Sequence, residues 1–552
     1  MAEDRILFEL KRFEQLKSKR GVWESHWQEC VDYILPRRGN ITYKDTPGQK
    51  RTSNIYDTTA TTALELLAAA IHGMLTNPST KWFDLVTADP RLMDSWDVVV
   101  WLDQVSKTLM DVYNSSNFTT QTHELYLDLG LIGTGMLYQE PGKGSNLLNF
   151  TAYPINGVFI VENEEGIIDT VYRRDWMTAQ NIVRMWPDTT PETIREKLKK
   201  DPDEELEVLH VIRPRKDRLP GKIDKLNMPF ASLYIAVQDK VKLSEGGYHE
   251  FPCAVPRWYL TTGETYGRSP SMTALPDIKM LNEICKCTIR AAQKIVDPPL
   301  QVPDDGFLAE INTYPGGINR YNTSNPDDRI YPLETKGRPE LGLQMEEQRR
   351  QAIRRTYYVD QFRLPSSPNP QMTATEVMER TQENLRLMGP ILGRLQPEYL
   401  TPTIARSYGI LKRMNMFPPA PAAIVNTGIS IKYTSPIARA QRMSELQGIA
   451  KTIDFVAALG ERHPEVWDEF NMPSTARLVA DINGVPAATR NSPETVVEIR
   501  KAREAAQAEQ EKQAQLAAMA ESAGKAAPAL KAIGGMGAAS EGMGMEGGGE
   551  EF

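Results

Sequence analysis

The chain has 552 residues, of which 41% are apolar and 25% charged, a composition typical of soluble folded proteins that divide into several lobes. Its formal net charge is −8 and its pI is about 5.6, which excludes a protein that coats nucleic acid through bulk positive charge. The longest apolar runs, such as WDVVVWL, are too short to span a bilayer, and the charged start MAEDRILFELKRFEQLKSKR is not that of a secretory signal.

The first half of the chain predicts helices, then strands mixed with short helices. Apolar spacing predicts two helices within 4–35, one over 57–75 capped by Asp57 or Thr58, and a mainly helical stretch over 97–140. Alternating patterns predict strands within 147–175, 206–237 and 250–260, and helical spacing returns at 178–186 and 191–200.

The second half contains two polar helices around an irregular lobe. A helix over 276–296 should end abruptly, because Pro298 and Pro299 lack the backbone N–H and restrict the residues before them. An irregular stretch over 297–344 follows, and the next helix covers 345–362.

Beyond this pair, we expect helix over 374–416, a strand in GISIKYTS, and a helical group over 437–483 packed around four apolar residues, Ile453, Phe455, Trp467 and Phe470. A C-terminal helix over 492–523 begins with Ser492 as N-cap and Pro493 as first residue. The Ala-, Gly- and Met-rich residues 524–552 should be disordered.

A search for catalytic motifs returns nothing that would support an enzyme. The chain lacks the phosphate-binding G-x-x-x-x-G-K-[ST] and the nucleophile elbow G-x-S-x-G. HELYL resembles a zinc helix without its second histidine, and the six histidines are scattered. We therefore expect no catalytic, cofactor-binding or metal-binding residues, and four reduced cysteines.

Several long stretches carry a family resemblance. They are DTTATTALELLAAAIHGMLTNPSTKWFDL, LDLGLIGTGMLYQE, PRWYLTTGETYGRSPSMTALPDIKMLN, MTATEVMERTQENLRLMGPILGRLQPEYLTP and DINGVP, together with the helix that holds Trp23 and Trp27. With these stretches, residues 5–490 resemble the portal, or head-to-tail connector, proteins of short-tailed bacteriophages.

The resemblance implies an α+β, mainly helical portal fold, assembled as a ring of twelve subunits around a DNA channel. It divides the chain into a wing (1–275), a first stem helix (276–296), a clip (297–344), a second stem helix (345–362), a tunnel loop (363–375), a channel helix with a return to the wing (376–435) and a crown (436–491). A C-terminal helix (492–523) and the tail (524–552) complete the division.

The resemblance also suggests three groups of site residues. Candidates for the tunnel loop are Arg363, Leu364, Pro365, Ser366, Ser367, Pro368, Asn369 and Gln371. Candidates for channel or intersubunit contacts on the stem are Lys279, Lys286, Arg290, Lys294, Arg349, Arg350, Arg354 and Arg355. Candidates for clip contacts to a tail adaptor are Asp304, Asp305, Phe307, Tyr314 and Tyr321.

Charge is segregated in this region. The two stem helices sum to +2 and +1, and the clip has four basic and eight acidic residues, or −4. The stem cations could touch DNA phosphates, or they could form solvated faces and intersubunit salt bridges. The alternative for the candidate tunnel loop is an ordinary surface connection between two helices, although its position directly after a stem helix favours the channel.

The implied function is structural. The ring would occupy one capsid vertex of the virion, after synthesis in the host cytoplasm. Its partners would be the capsid and scaffolding proteins, the terminase large subunit, the tail adaptor and passing double-stranded DNA, without a membrane or a cofactor. Two alternatives stay open, another virion structural protein such as a tail adaptor or internal protein, and a packaging nuclease or translocase.

Overall fold

The computed structural model describes residues 2–42, 48, 51–52, 55–144, 146–219, 221–222, 224–301, 311–313, 318, 330–333, 339–362, 388–424, 427–433, 436–460, 463–483, 485 and 487–534. In this part of the chain the helices are α1 (Ala2–Ile34), α2 (Thr59–Leu75), α3 (Trp96–Ser115), α4 (Phe118–Ile132), α5 (Ala179–Met185), α6 (Glu192–Lys200), α7 (Pro270–Val296), α8 (Pro339–Thr356), α9 (Val359–Phe362), α10 (Gly389–Leu395), α11 (Thr401–Arg413), α12 (Pro436–Gly460), α13 (Met472–Ile482) and α14 (Pro493–Gly534).

The strands described are short and antiparallel. They are β1 (Phe83–Thr87), β2 (Met136–Pro141), β3 (Leu148–Tyr153), β4 (Val158–Glu162), β5 (Ile168–Thr178), β6 (Glu205–Pro214), β7 (Phe230–Ala236), β8 (Val241–Tyr248), β9 (Cys253–Ala254), β10 (Leu300–Gln301), β11 (Tyr331–Pro332) and β12 (Ile429–Tyr433). They form a five-stranded meander β4-β5-β6-β7-β8, a three-stranded sheet β3-β2-β9, and the pairs β1-β12 and β10-β11. The architecture is α+β and mainly helical, as predicted.

The main core forms where α1, α2, α3, α4 and α7 meet. Every residue of α4 from Leu125 to Ile132 is buried, so the second half of this helix has no solvent face and lies at the centre. Gly130 permits the close approach of α2, because a Cβ there would lie 2.5 Å from the Leu64 side chain. This arrangement explains why the LDLGLIGTG stretch is almost entirely apolar.

The five-stranded sheet is covered on both faces. Alternation along β6 places Leu209 and Val211 against the first half of α1, where the Phe13 ring meets Phe159 edge-on at a centroid distance of 4.9 Å. Leu206 and Val208 face the other way, toward α5 and α6. A strand buried on both faces needs an almost continuous apolar run, as in LEVLHVI.

Several predicted boundaries require correction. Residues 2–34 form one helix, not two, because Gly21 is accommodated within it. The expected helix over 97–140 is broken at Ser116 and ends at Gly133, whose left-handed backbone (φ 89°) stops α4 before β2 begins. β8 was not predicted, and of the strand expected over 250–260 only Cys253–Ala254 forms.

The predictions for the C-terminal region are corrected in two places. Phe455 and Phe470 are exposed rather than core residues, and Ile453 and Trp467 are only half-buried, whereas Val456 of α12 is buried. The last helix continues to Gly534 instead of stopping at 523, since its alanine-rich composition favours helix beyond Gly524. Residues 535–552 lie outside the described part.

Candidate functional site: the α7–α8 helix pair and its base

Helix α7 begins in the core and extends out of it. The Ser269 side chain caps the helix by accepting a hydrogen bond from the Met272 N–H (3.0 Å), and Pro270 occupies the first helical position. The helix therefore starts six residues before the predicted 276, and it ends at Val296 as predicted. The last buried residue is Cys285, and every later side chain of α7 is exposed or half-buried.

The start of α7 is fixed by a close backbone crossing. Gly133 and Gly267 touch here, and a Cβ on Gly133 would lie 2.4 Å from the Gly267 carbonyl oxygen. The Ser269 hydroxyl donates to the Leu131 carbonyl (2.8 Å), and the Ser271 hydroxyl donates to the Gly130 carbonyl (2.7 Å). The stretches LIGTG and YGRSPS are therefore a structural joint that anchors the helix pair.

The lobe between α7 and α8 leaves and returns at one place. Leu300 pairs with Pro332 and Gln301 with Tyr331 in an antiparallel ladder, and the Leu333 N–H donates to the Pro299 carbonyl (2.7 Å). The two ends of the lobe are thus held side by side, just beyond the end of α7. The predicted adaptor contacts of this lobe (Asp304, Asp305, Phe307, Tyr314 and Tyr321) all lie outside the described residues.

Helix α8 also begins earlier than predicted, at Pro339 instead of 345, and it breaks before 362. The break lies at Tyr358, whose φ of 58° is unusual for a residue with a side chain. Its neighbour Tyr357 is buried and shares a hydrogen bond with the Ser271 hydroxyl (2.7 Å). The end of α8 is thus tied to the start of α7. The candidate tunnel-loop residues, from Arg363 to Gln371, lie outside the described part of the chain.

Five of the eight candidate stem cations pair within their own subunit. The pairs are Lys279 with Glu29 (2.8 Å), Lys286 with Glu283 (3.4 Å), Arg349 with Asp277 (2.8 Å), Arg354 with Glu347 (3.3 Å) and Arg350 with Asp57 (2.9 Å). The other three, Arg290, Lys294 and Arg355, are exposed and form no ion pair with another described residue. These three are the stem cations left for contacts outside the subunit.

A buried polar network holds the base of the pair to α2. The Asn282 Oδ1 accepts hydrogen bonds from the backbone N–H groups of Tyr56 (2.7 Å) and Asp57 (3.3 Å). Arg350 joins Asp57 to Glu346 (3.1 Å), and both carboxylates are more than nine-tenths buried. The network therefore sits at the level where α7 leaves the core, beside Cys285.

The electrostatics of this network follow from burial and from Arg350. Burial raises the pKa of Asp57, but hydrogen bonds from Thr59 and the Arg350 guanidinium outweigh it, so the pKa lies below its usual value of 3.8. Burial, together with the negative charges of Glu346 and Asp57, raises the pKa of the Cys285 thiol to about 11. Cys285 is thus a protonated packing residue, and all four cysteines are free, as expected.

The far half of the helix pair exposes apolar side chains. Ile289, Ile295, Leu341 and Leu343 are 46%, 48%, 58% and 56% exposed, and Val296 is 85% exposed. So many large exposed apolar side chains at one end of a helix pair are typical of a region that another protein covers. The pair therefore has a base locked into its own subunit and an outer half without such packing.

Sequence reasoning missed the network at the base. Asp57 was noticed only as a helix cap, and no local pattern links it to Arg350, 293 residues away. The start of α7 could have been predicted from the sequence, since Ser269–Pro270 is an N-cap followed by a first-turn proline.

In the described ranges, no three His, Cys, Asp or Glu side chains form a group that could hold a metal. None of the helices described is both long and apolar enough to cross a membrane.

Comparisons with known proteins assign the chain to a family. A family model described as "Bacteriophage head to tail connecting protein" matches residues 9–490. The "Probable portal protein" of Bordetella phage BPP-1 is 33% identical over 491 residues, which cover 86% of this chain and 87% of that protein. The "Portal protein" of Salmonella phage epsilon15 is 30% identical over 514 residues, covering 89% and 90%.

Among solved structures, a chain in the virion of a native gene transfer agent particle aligns with a TM-score of 0.37 and 11% identity, over 71% of this chain and 85% of that chain. This likeness is too low to add to the assignment. The family model spans most of the 552 residues, and the curated relatives match over nearly their whole length. The chain belongs to the family of bacteriophage head-to-tail connecting proteins.

Proposed function

We propose that this chain is the subunit of a dodecameric portal ring, through which double-stranded DNA enters the capsid and later leaves it. The observation that carries this proposal is the helix pair α7–α8, whose base is locked to the core while its outer half exposes apolar side chains. Identical subunits that meet head to tail close into a ring when the rotation between them closes. Neighbouring copies would cover the exposed apolar surface.

The charge of the chain suits a passage rather than a clamp. Twelve copies at −8 each sum to −96, which disfavours tight binding of a polyanion. Each neutralised phosphate would add affinity and salt dependence. Since five of the eight stem cations are paired within the subunit, only Arg290, Lys294 and Arg355 would remain for DNA phosphates or for a neighbouring subunit.

Two irregular segments, residues 363–375 and the lobe after α7, would contact the passing DNA and the tail adaptor. Residues 363–375 would form the tunnel loop, since Pro365, Pro368 and Pro370 bar a continuous helix and Arg363 is the only charged residue among 363–371. The lobe after α7 would be the clip that meets the tail adaptor. The remaining partners would be the capsid and scaffolding proteins and the terminase large subunit, which would supply the catalysis that we do not expect of this chain. The assembled ring would reside in the virion.

The experiment uses phage in which the tunnel loop is shortened by deletion of Ser366 to Asn369. We expect particles that contain the protein at one vertex, located by gold labelling, but that retain less of their DNA. A shortening of equal size in the exposed part of α14, by deletion of Glu509 to Lys512, serves as the control. Normal genome retention with the tunnel-loop deletion would show that this segment does not act on DNA in the channel. Labelling at all vertices or none would contradict the portal assignment itself.

A further inference from the structure

The connection between β6 and β7 is a basic projection in an acidic protein. Residues 215–229, RKDRLPGKIDKLNMP, contain five Lys or Arg and two Asp, a net charge of +3 in a chain whose net charge is −8. Lys216, Arg218, Lys222 and Lys225 are all exposed, and none of them forms an ion pair with another described residue. We call residues 215–229 the basic hairpin. Its residues take no part in the α7–α8 site described above.

The basic hairpin is a built structure. The Arg215 N–H donates to the Pro229 carbonyl (2.8 Å), and its guanidinium donates to the Gly246 carbonyl of β8 (2.8 Å). The Leu219 N–H donates to the Asn227 Oδ1 (2.9 Å). Gly247 lets the hairpin lie against β8, because a Cβ there would be 2.7 Å from the Lys225 carbonyl oxygen. The ends of its backbone and the Arg215 side chain are therefore fixed against β8.

A cavity of about 330 Å³ opens between this hairpin and the end of β8. Its lining combines cationic and apolar groups, namely Arg218, Lys222, Leu219, Met228, Pro229 and His249. The Asp224 carboxylate, which also lines it, accepts a hydrogen bond from the Asn227 amide. Leu219 and Leu226 are 56% and 49% exposed beside the cations. The cavity thus offers positive charge around an apolar depression.

This combination selects among anionic ligands. The DNA backbone would use the cations but has no side chain to fill an apolar cavity or to cover the two leucines. An acidic peptide with a large apolar residue would use both features, because its carboxylates meet the Lys and Arg side chains while the apolar residue leaves water. The surface therefore favours an acidic peptide over nucleic acid.

We propose that the basic hairpin binds residues 541–552 of this protein, EGMGMEGGGEEF, from the same or a neighbouring copy. Between Gly535 and Phe552 the chain has four Glu and no Lys or Arg, and it has Met543, Met545 and Phe552 as apolar anchors. Another acidic segment, residues 201–204 before β6, is a weaker candidate for this ligand, because the Glu204 carboxylate already pairs with Lys197 (3.2 Å).

The length of chain beyond Gly534 suits a tethered ligand. Eighteen residues separate the last described helical residue from the end of the printed sequence. Such a Gly-rich segment has a root-mean-square span of about 25 Å and a fully extended reach of about 60 Å. For a hairpin within that reach, tethering gives the segment an effective concentration in the millimolar range, which compensates for weak individual ion pairs. The inference goes beyond the portal function and does not depend on ring closure.

Photo-cross-linking in the full-length protein tests the proposal. Met545→p-benzoyl-L-phenylalanine places the cross-linker in the acidic segment, and protease mapping identifies where it reacts. We expect products within residues 215–229, centred on Met228. In the K216E/K222E variant their yield should fall several-fold, since each exposed ion pair contributes about two- to five-fold. Raising NaCl from about 0.05 to about 0.5 M should also reduce the yield.

A matched control changes the same charge elsewhere. Lys107 and Lys143 are also exposed without an ion pair to a described residue, so K107E/K143E should leave the cross-links unchanged. Cross-links that map outside the hairpin, that survive in K216E/K222E, or that do not form would overturn the proposal. Binding of a 20-base-pair duplex that is lost in K216E/K222E, without hairpin cross-links, would instead identify a nucleic-acid surface. Ring formation is to be scored separately by electron microscopy, so a failure of this proposal would leave the portal proposal untouched.

Discussion

Replacing the exposed apolar residues of the helix pair should weaken the ring and spare the subunit. The variant I289Q/I295Q/L341Q/L343Q removes side chains whose exposed fractions, 46%, 48%, 58% and 56%, sum to about two whole side chains. Complete burial of one such side chain stabilises by about 1.5–3 kcal/mol. If neighbouring subunits cover these surfaces, each subunit contributes about 3–6 kcal/mol less to the ring. The association constant should then fall by about two to four orders of magnitude.

The assay is size-exclusion chromatography with light scattering over a dilution series, paired with urea unfolding of the dissociated subunit. Substitutions at exposed positions change folding stability by only about 0.5 kcal/mol each, so the unfolding midpoint should shift little. The control Q293A/Q344A alters two exposed polar residues of the same helices and should leave the ring intact. A quadruple variant that assembles as tightly as the original protein would refute the idea that this surface is covered by neighbours.

Four further outcomes are expected. Gly133→Ala should lower stability by more than about 1–2 kcal/mol in urea unfolding, because a left-handed backbone and a close oxygen both oppose a Cβ; Gly263→Ala has the same backbone without the contact, and an equal loss there would contradict the crossing. Asp57→Asn should make the free energy of unfolding fall less steeply as the pH drops below 3.8. The pKa of Asp57 is lowered in the folded state, so its contribution to stability is complete above pH 3.8 and is lost as the pH falls through the lowered pKa; an unchanged pH dependence would exclude that role. At pH 8 only Cys287 should react quickly with a thiol reagent, because burial raises the pKa of the other three thiols; a second fast thiol would be the contrary result. Truncation after Ser522 should leave rings intact by electron microscopy, and loss of assembly would reveal contacts of the tail.

The sequence predicted features that depend on local chemistry. Pro298 and Pro299 end α7 at Val296, as expected from the missing N–H and the restricted preceding residue. The periodic patterns of α2 and of the strands near 147–175 were also read correctly, because their apolar spacing is strong. Pro276 was misread as a helix start, whereas it lies inside a helix that Ser269 caps.

Features that depend on tertiary contact could not be predicted. Asp57 and Arg350 meet across 293 residues, and Gly133 meets Gly267 only because α4 and α7 cross there. Phe455 was expected in a core because it is apolar, but it is 67% exposed, and composition alone cannot say whether a neighbouring subunit covers it. Three of the five stem-cation pairs likewise depend on tertiary position, since Lys279, Arg349 and Arg350 pair with residues of other segments.

The most direct test of the account is the mass and symmetry of the purified protein, measured by mass photometry and by class averages from electron microscopy. Twelve subunits of 62.1 kDa predict a particle of about 745 kDa, with twelvefold symmetry and a central hole. A folded monomer at all concentrations, or a compact oligomer without a channel, would contradict the central claim that this chain closes into a ring for DNA passage.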